Sequence, residues 1–124
     1  MAIPGSSDGQ EVLRRGVIQT QSSDDTSFKW DGTSPTTTAH ADVVPTNHII
    51  TLLSIIFCET GNAAELMYLQ HVQGYILHQQ DIAARGTFIW NERLTLQSGE
   101  ILKTWMDGSA DVDIHYSYLD QDWS

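Results

Sequence analysis

The sequence predicts an all-β fold: an antiparallel β-sandwich or jelly roll of about eight strands, with an extended N-terminal arm. Three observations point there. Strand-length segments recur between clusters of Gly, Asn, Asp and Ser, at the spacing of a sandwich rather than of strand–helix units. No stretch of ten or more residues carries a convincing helical stripe, although 63–70 can be argued as a short helix. The segment at 48–58, HIITLLSIIFC, is the one long apolar run in a polar chain. Its isoleucines and threonine are stiff at χ1 and favour a pleated surface. It is too short for a membrane helix, which needs about 20 residues.

The elements follow in order. Residues 1–10, MAIPGSSDGQ, read as an arm, and residues 11–124 as one sandwich domain. Such a tail is ordered only when tied down, so it is expected to lie on a neighbouring chain. Residues 11–21 alternate imperfectly around Val12, Val17 and Ile18, with Gly16 marking a bulge or a close backbone approach. A turn at 22–25 precedes a short strand in which Phe28 and Trp30 share a face, and Asp31-Gly32 is a turn signal. The Thr- and Pro-rich connection 33–47 is long enough to be functional or partner-held.

In the apolar run, alternation puts Ile50, Leu52, Ile56 and Cys58 on one side and Ile49, Leu53, Ile55 and Phe57 on the other. Neither side is polar, as for a strand covered on both faces. One covering is expected from an opposing sheet bearing Trp105 and Tyr116, the other from a sister subunit meeting Ile49, Leu53 and Ile55. A Gly-Asn turn then leads to 66–71, making a central hairpin with the apolar run. Further strands are read at 75–82, at 87–96, at 101–107 and over the cleanly alternating 111–123. Trp90 and Trp105, on alternating strands, are read as core.

Composition narrows function. Six Lys and Arg against 16 Asp and Glu give a net charge of −10. That argues against nucleic acid as a partner, because phosphate binding rests on basic side chains. No segment is apolar for long enough to suggest a membrane helix, and the N-terminus has neither the basic start nor the apolar run of a secretory signal. Synthesis in a reducing cytoplasm is therefore expected. Cys58, the single cysteine, reads as a small core residue.

The search for chemistry assigns no catalytic, cofactor or metal residue. His40, His48, His71, His78 and His115 are scattered, without the HxH or HExxH spacing of a three-ligand zinc site. His71 and His78, which would face one another across Gly74, are the least remote pair. Asp107, Asp111 and Asp113 match a calcium loop only loosely and read as a solvated turn. Nucleophile elbows and Gly-rich phosphate loops are missing. Trp123 follows acidic polar neighbours at the far end of the last strand and is read as an intermolecular anchor.

Three segments carry a resemblance. Pro45 and the following His-Ile-Ile-Thr approach to an apolar strand ending in Cys-Glu-Thr, the small-residue turn with Ala63, Ala64 and Glu65, and the closing LQSGEILKTW and GSADVDIHYSYLDQ are similar to small β-sandwich virion structural proteins of tailed bacteriophages. The likeness covers most of the chain after about residue 11 and rests on strand rhythm rather than on a catalytic signature. It implies a non-enzymatic protein on the virion surface: a capsid decoration or cement protein that binds the major capsid protein as a homo-oligomer, commonly a trimer. A fibre or tail-tip protein binding a host glycan through exposed aromatics is the alternative. A metal-dependent enzyme using His71 and His78 is a third reading, which metal analysis of the purified protein tests. The expected partner contacts are Met1, Ile3 and Pro4 in the arm, Pro35 in the long connection, Leu53 in the apolar strand, and Trp123.

Deleting residues 1–10 is expected to weaken capsid attachment in a particle-binding assay while leaving the domain folded. Unchanged attachment would remove the arm from the contact.

Overall fold

Among the described residues, nine β-strands form two antiparallel sheets and no helix occurs. The computed structural model describes residues 10–21, 23, 25–35, 42–107 and 111–123. The strands are β1 (Gln10–Gln21), β2 (Thr26–Ser27), β3 (His48–Glu59), β4 (Glu65–His71), β5 (Gly74–Ile82), β6 (Thr87–Trp90), β7 (Leu94–Leu96), β8 (Leu102–Met106) and β9 (Val112–Asp122). One sheet runs β1-β9-β3-β6, with β7 also on β3; the other runs β2-β8-β4-β5. The two pack face to face as a sandwich.

The core lies between the inner faces. One sheet supplies Ile18, Ile50, Leu52, Ile55, Phe57, Val112, Ile114, Tyr116 and Tyr118, and the other Met67, Leu69, Leu77, Ile82, Leu102 and Met106. Phe28 and Trp30 fall just after β2 rather than in a strand, yet their rings stack at 5.8 Å within the core. Phe28 meets Tyr116 edge-on at 4.7 Å, and Trp30 meets Tyr118 edge-on at 5.0 Å. The phenols are satisfied by backbone: Tyr116 donates to the Lys29 carbonyl at 2.8 Å, and the Gly32 amide donates to Tyr118 at 3.0 Å. Burial pushes both phenols above their ordinary pKa, so the hydroxyls stay protonated.

Gly16 makes the close approach that its place in the sequence suggests. It pairs with Tyr116, and a Cβ on Gly16 would stand 2.4 Å from the tyrosine ring. The bulge in β1 lies further on, between Ile18 and Gln21.

A bulge overturns the predicted alternation of β3. Leu52 pairs with Tyr118 and Ser54 with Ser117, leaving Leu53 as the extra residue. Parity therefore switches within the strand: Ile50, Leu52, Ile55 and Phe57 all point into the core, while Ile49, Leu53, Ile56 and Cys58 do not. Ile55 is thus fully buried and unavailable to a sister subunit. Across the sheet the same irregularity splits the predicted strand 87–96, because β6 pairs with β3 beyond the bulge and β7 before it.

Three further expectations change. β3 and β4 are not a hairpin: they sit in different sheets, β3 against β9, β6 and β7, and β4 against β5 and β8. The segment that could be argued as a helix is strand β4. Tyr116 belongs to the same sheet as β3, and Trp105 lies outside the core on the outer face of the other sheet, so neither covers β3 from across the sandwich.

Gly16→Ala is expected to destabilise the domain by about 1–3 kcal/mol through overpacking against Tyr116. Chemical denaturation reads this; an unchanged midpoint would show that the ring moves aside freely.

Candidate functional site

The two outer faces of the sandwich differ in kind. On the β1-β9-β3-β6 sheet, register sets cross-strand rows. Ile89, Ile56, His115 and Val17 form one row, and Thr95, Thr51, Leu119 and Leu13 another. Leu53 and Ser54 lie between these rows at the bulge. Leu13 is 69%, Ile89 57% and Ile56 38% exposed. Ser54 and Ser117 share a hydrogen bond at 3.1 Å, and Arg15 lies opposite Ser117 on β1. Arg15, Val17, Ser34, Ser54, Ile56 and His115 line a shallow depression of about 580 Å³. Along the registered strands of this face the acids stand at the ends: Glu11, bonded to Gln121 at 3.2 Å, and Asp113, opposite Cys58. In a chain of net charge −10 that is a marked segregation.

The other outer face is aromatic. Tyr68 on β4 pairs with Trp105 on β8, and their rings stack at 5.1 Å with an 8° interplanar angle. Tyr75 and His78 on β5 complete the cluster: His78 stands edge-on to Tyr68 at 5.4 Å and to Tyr75 at 4.8 Å, and Tyr75 lies 5.9 Å from Trp105. Shifts in the β4–β5 register and a left-handed φ of 56° at Gln79 put His78 and Gln79 side by side at the exposed surface. Beside Trp105, Lys103 Nζ is 3.3 Å from Asp25 Oδ2, and these three residues with Ser23 line a recess of about 310 Å³.

Most of the resolved titratable contacts are structural. Asp120 is buried and bridges three strands, accepting from Arg14 Nε at 3.2 Å and lying 2.7 Å from His48 Nδ1. The other nitrogen of His48 faces Asp122 at 3.5 Å, and nearby Ser98 donates its hydroxyl to the His48 carbonyl at 3.1 Å. That imidazole is therefore not aligned to take a proton from a serine. His71 bonds Glu100 at 2.9 Å, while His78 joins the aromatic cluster, so the hairpin does not bring the two histidines together. No group of three or more metal-ligating side chains converges among the described residues.

Glu59, buried at the end of β3, accepts the amides of Gly61 at 2.7 Å, Arg85 at 2.9 Å and Ala63 at 3.1 Å. These N–H groups, that of Arg85 foremost, hold its carboxyl below the ordinary value of 4.5. Glu65 nearby is raised, by burial first and then by the charges of Glu59, Asp107 and Asp111.

Of the residues expected at partner contacts, Met1, Ile3 and Pro4 lie outside the described residues, as does His40. Pro35 is buried within its own domain. Leu53 is half-buried at the bulge. Trp123 is half-buried too: its amide donates to the Asn47 carbonyl at 2.9 Å, and it lines a surface cleft with Ile49, Gln97 and Ser98. Compared with protein-family models, curated proteins and solved structures, the chain matches none of them. The aromatic face escaped the sequence reading, although Trp105 shares its parity with Lys103, and Tyr68 with Gln70.

The depressed carboxyl of Glu59 adds stability that is present above its unfolded pKa and lost as pH falls through the lower folded one. Glu59→Gln is expected to lower Tm at pH 7, with the gap from the parent protein shrinking as pH drops below about 4. Scanning calorimetry across that range checks it; a gap independent of pH would assign Glu59 no linked proton.

Proposed function

We propose that this chain is a bacteriophage virion structural protein: a capsid decoration, or cement, protein that binds the major capsid protein as a homo-oligomer, most simply a trimer, and performs no catalysis. The observation that carries the reading is the outer face of the β1-β9-β3-β6 sheet, where Leu13, Leu53, Ile56 and Ile89 lie on strands whose acids stand at the ends. Copies of a protein with net charge −10 repel one another, so they meet best through a largely apolar face whose central depression carries a cation, Arg15. Isologous or cyclic use of one such face closes an assembly. The strand rhythm of the C-terminal half supports the virion setting. So does the all-β sandwich of two antiparallel sheets. On a capsid lattice, repeated weak contacts add through effective concentration, so no single contact need be strong.

Ile56→Asp and Leu53→Asp, each placing a charge on this face, are expected to shift the purified protein toward monomer in light scattering coupled to gel filtration, with the far-ultraviolet spectrum kept. Electron cryomicroscopy of the particle is expected to show many copies at three-fold positions of the shell. Loss of fold without a separable assembly defect, or a monomeric parent protein, would overturn the reading.

A further inference from the structure

Given the self-assembly proposed above, on which this rests, we infer that copies of the chain are joined by an ion pair: Glu92 of one copy enters the depression on the outer face of the β1-β9-β3-β6 sheet of another and meets Arg15. Register puts the two charges at opposite ends of one cross-strand line. Arg15 on β1 pairs with Ser117 on β9, and Ser117 with Ser54 on β3. Past Ser54 and the bulged Leu53 the line runs into residues 91–93, the break between β6, whose Trp90 lies opposite Ile55, and β7, whose Leu94 lies opposite Leu52. Three strand spacings, about 14 Å, separate the two ends, so the pair cannot close within one copy. Arg15 and Glu92 are both exposed, and among the described residues neither has a hydrogen bond or ion pair in its own chain.

The depression of about 580 Å³ is lined by donors. Ser34 accepts the Val17 amide on its hydroxyl oxygen and keeps its own proton to give. Ser54 and Ser117 spend one hydroxyl proton on each other and keep the second. Together with the guanidinium these groups suit a carboxylate, which only accepts and which binds arginine through charge-assisted hydrogen bonds. The acids of the same sheet narrow the occupant. Glu11 holds Gln121, Glu59 the loop amides, and Asp120 both Arg14 and His48. Asp122 faces His48, and Asp113 is likewise engaged. Glu92 is the one left without a partner among the described residues, and Ile89, 57% exposed on β6 just before it, brings apolar area to meet Ile56 and Val17. A cation at one end of the line and an acid at the other let each copy supply what its neighbour lacks, which offsets the repulsion between chains of net charge −10. Such a pair forms twice across a two-fold axis and once per interface in a ring, so either closed symmetry accommodates it.

The test follows the intact chain by sedimentation velocity over a range of concentrations at one fixed salt concentration. Arg15→Glu and Glu92→Arg are each expected to raise the dissociation constant of the oligomer by about tenfold or more, and the variant carrying both to return it to within about threefold of the parent. Rescue by the double reversal cannot come from a folding defect, so the result stays readable even where a single variant is less stable. Arg93→Gln, in the same break, is expected to assemble as the parent does. A parent protein that stays monomeric would overturn the self-assembly reading and this pair with it. With an oligomeric parent, four results would overturn the pair alone: single reversals that assemble as the parent does, a double reversal no better than the worse single, a loss in Arg93→Gln that matches the loss in Glu92→Arg, or an Arg15→Glu variant that keeps its oligomer but loses attachment to the particle, which would give the depression to another protein.

Discussion

The packing of Tyr116 and Tyr118 against Phe28 and Trp30 is the constraint on which the rest of the sandwich depends. All four are buried, and the two tyrosines stack at 5.7 Å. Each edge-to-face or offset contact among them is worth about 0.5–1.5 kcal/mol beyond the area it buries. Their hydroxyls hold the segment after β2 by its backbone, at Lys29 and Gly32, and so tie that crossing to β9 without side-chain intermediaries. β9 in turn sits between β1 and β3, so one strand fixes the middle of its sheet and the path of the chain between sheets. Gly16 is the vacancy that lets the Tyr116 ring cross β1 to reach its acceptor.

Much of this architecture was legible in the sequence, and what was not has a local physical cause. Turn residues and alternation place most of the strands to within a residue or two, and of the two readings of Gly16, a bulge or a close approach, the structure bears out the second. The inner face of β3 was half missed, because alternation assumes a period of two and one inserted residue at Leu53 reverses it. No side-chain pattern announces that insertion: Leu52 and Leu53 are chemically identical. The split of 87–96 follows from the same event on the neighbouring strand. β3 and β4 look like a hairpin because both are apolar and joined by Gly61-Asn62, yet pairing is decided by which sheet each strand completes. Trp105 was misplaced by residue type, since tryptophan suggests core, although its parity with Lys103 pointed outward.

Carboxylates here act as internal clamps. Asp120 joins β1, β9 and β3 through Arg14 and His48, and removing one partner of such a buried set leaves an uncompensated charge. Glu59 gathers the amides of the loop after β3 and of Arg85, which itself has a left-handed φ of 58°, so one side chain orders two connections at the same end of the sandwich. The acidity of the chain is thus partly spent inside it.

The lateral edges of both sheets are each blunted in a different way. At β1 the Ser34 hydroxyl accepts the Val17 amide at 3.1 Å. β2 is two residues long, β5 is kinked at Gln79, and β6 and β7 are short pieces separated by a break. Sideways strand addition, the route to ribbons and amyloid-like stacks, finds short, kinked or interrupted strands at the β2, β5 and β6–β7 edges, while β1 offers a longer edge with its Val17 amide already occupied. At those three edges, contact between copies favours the faces of the sandwich over growth by added strands.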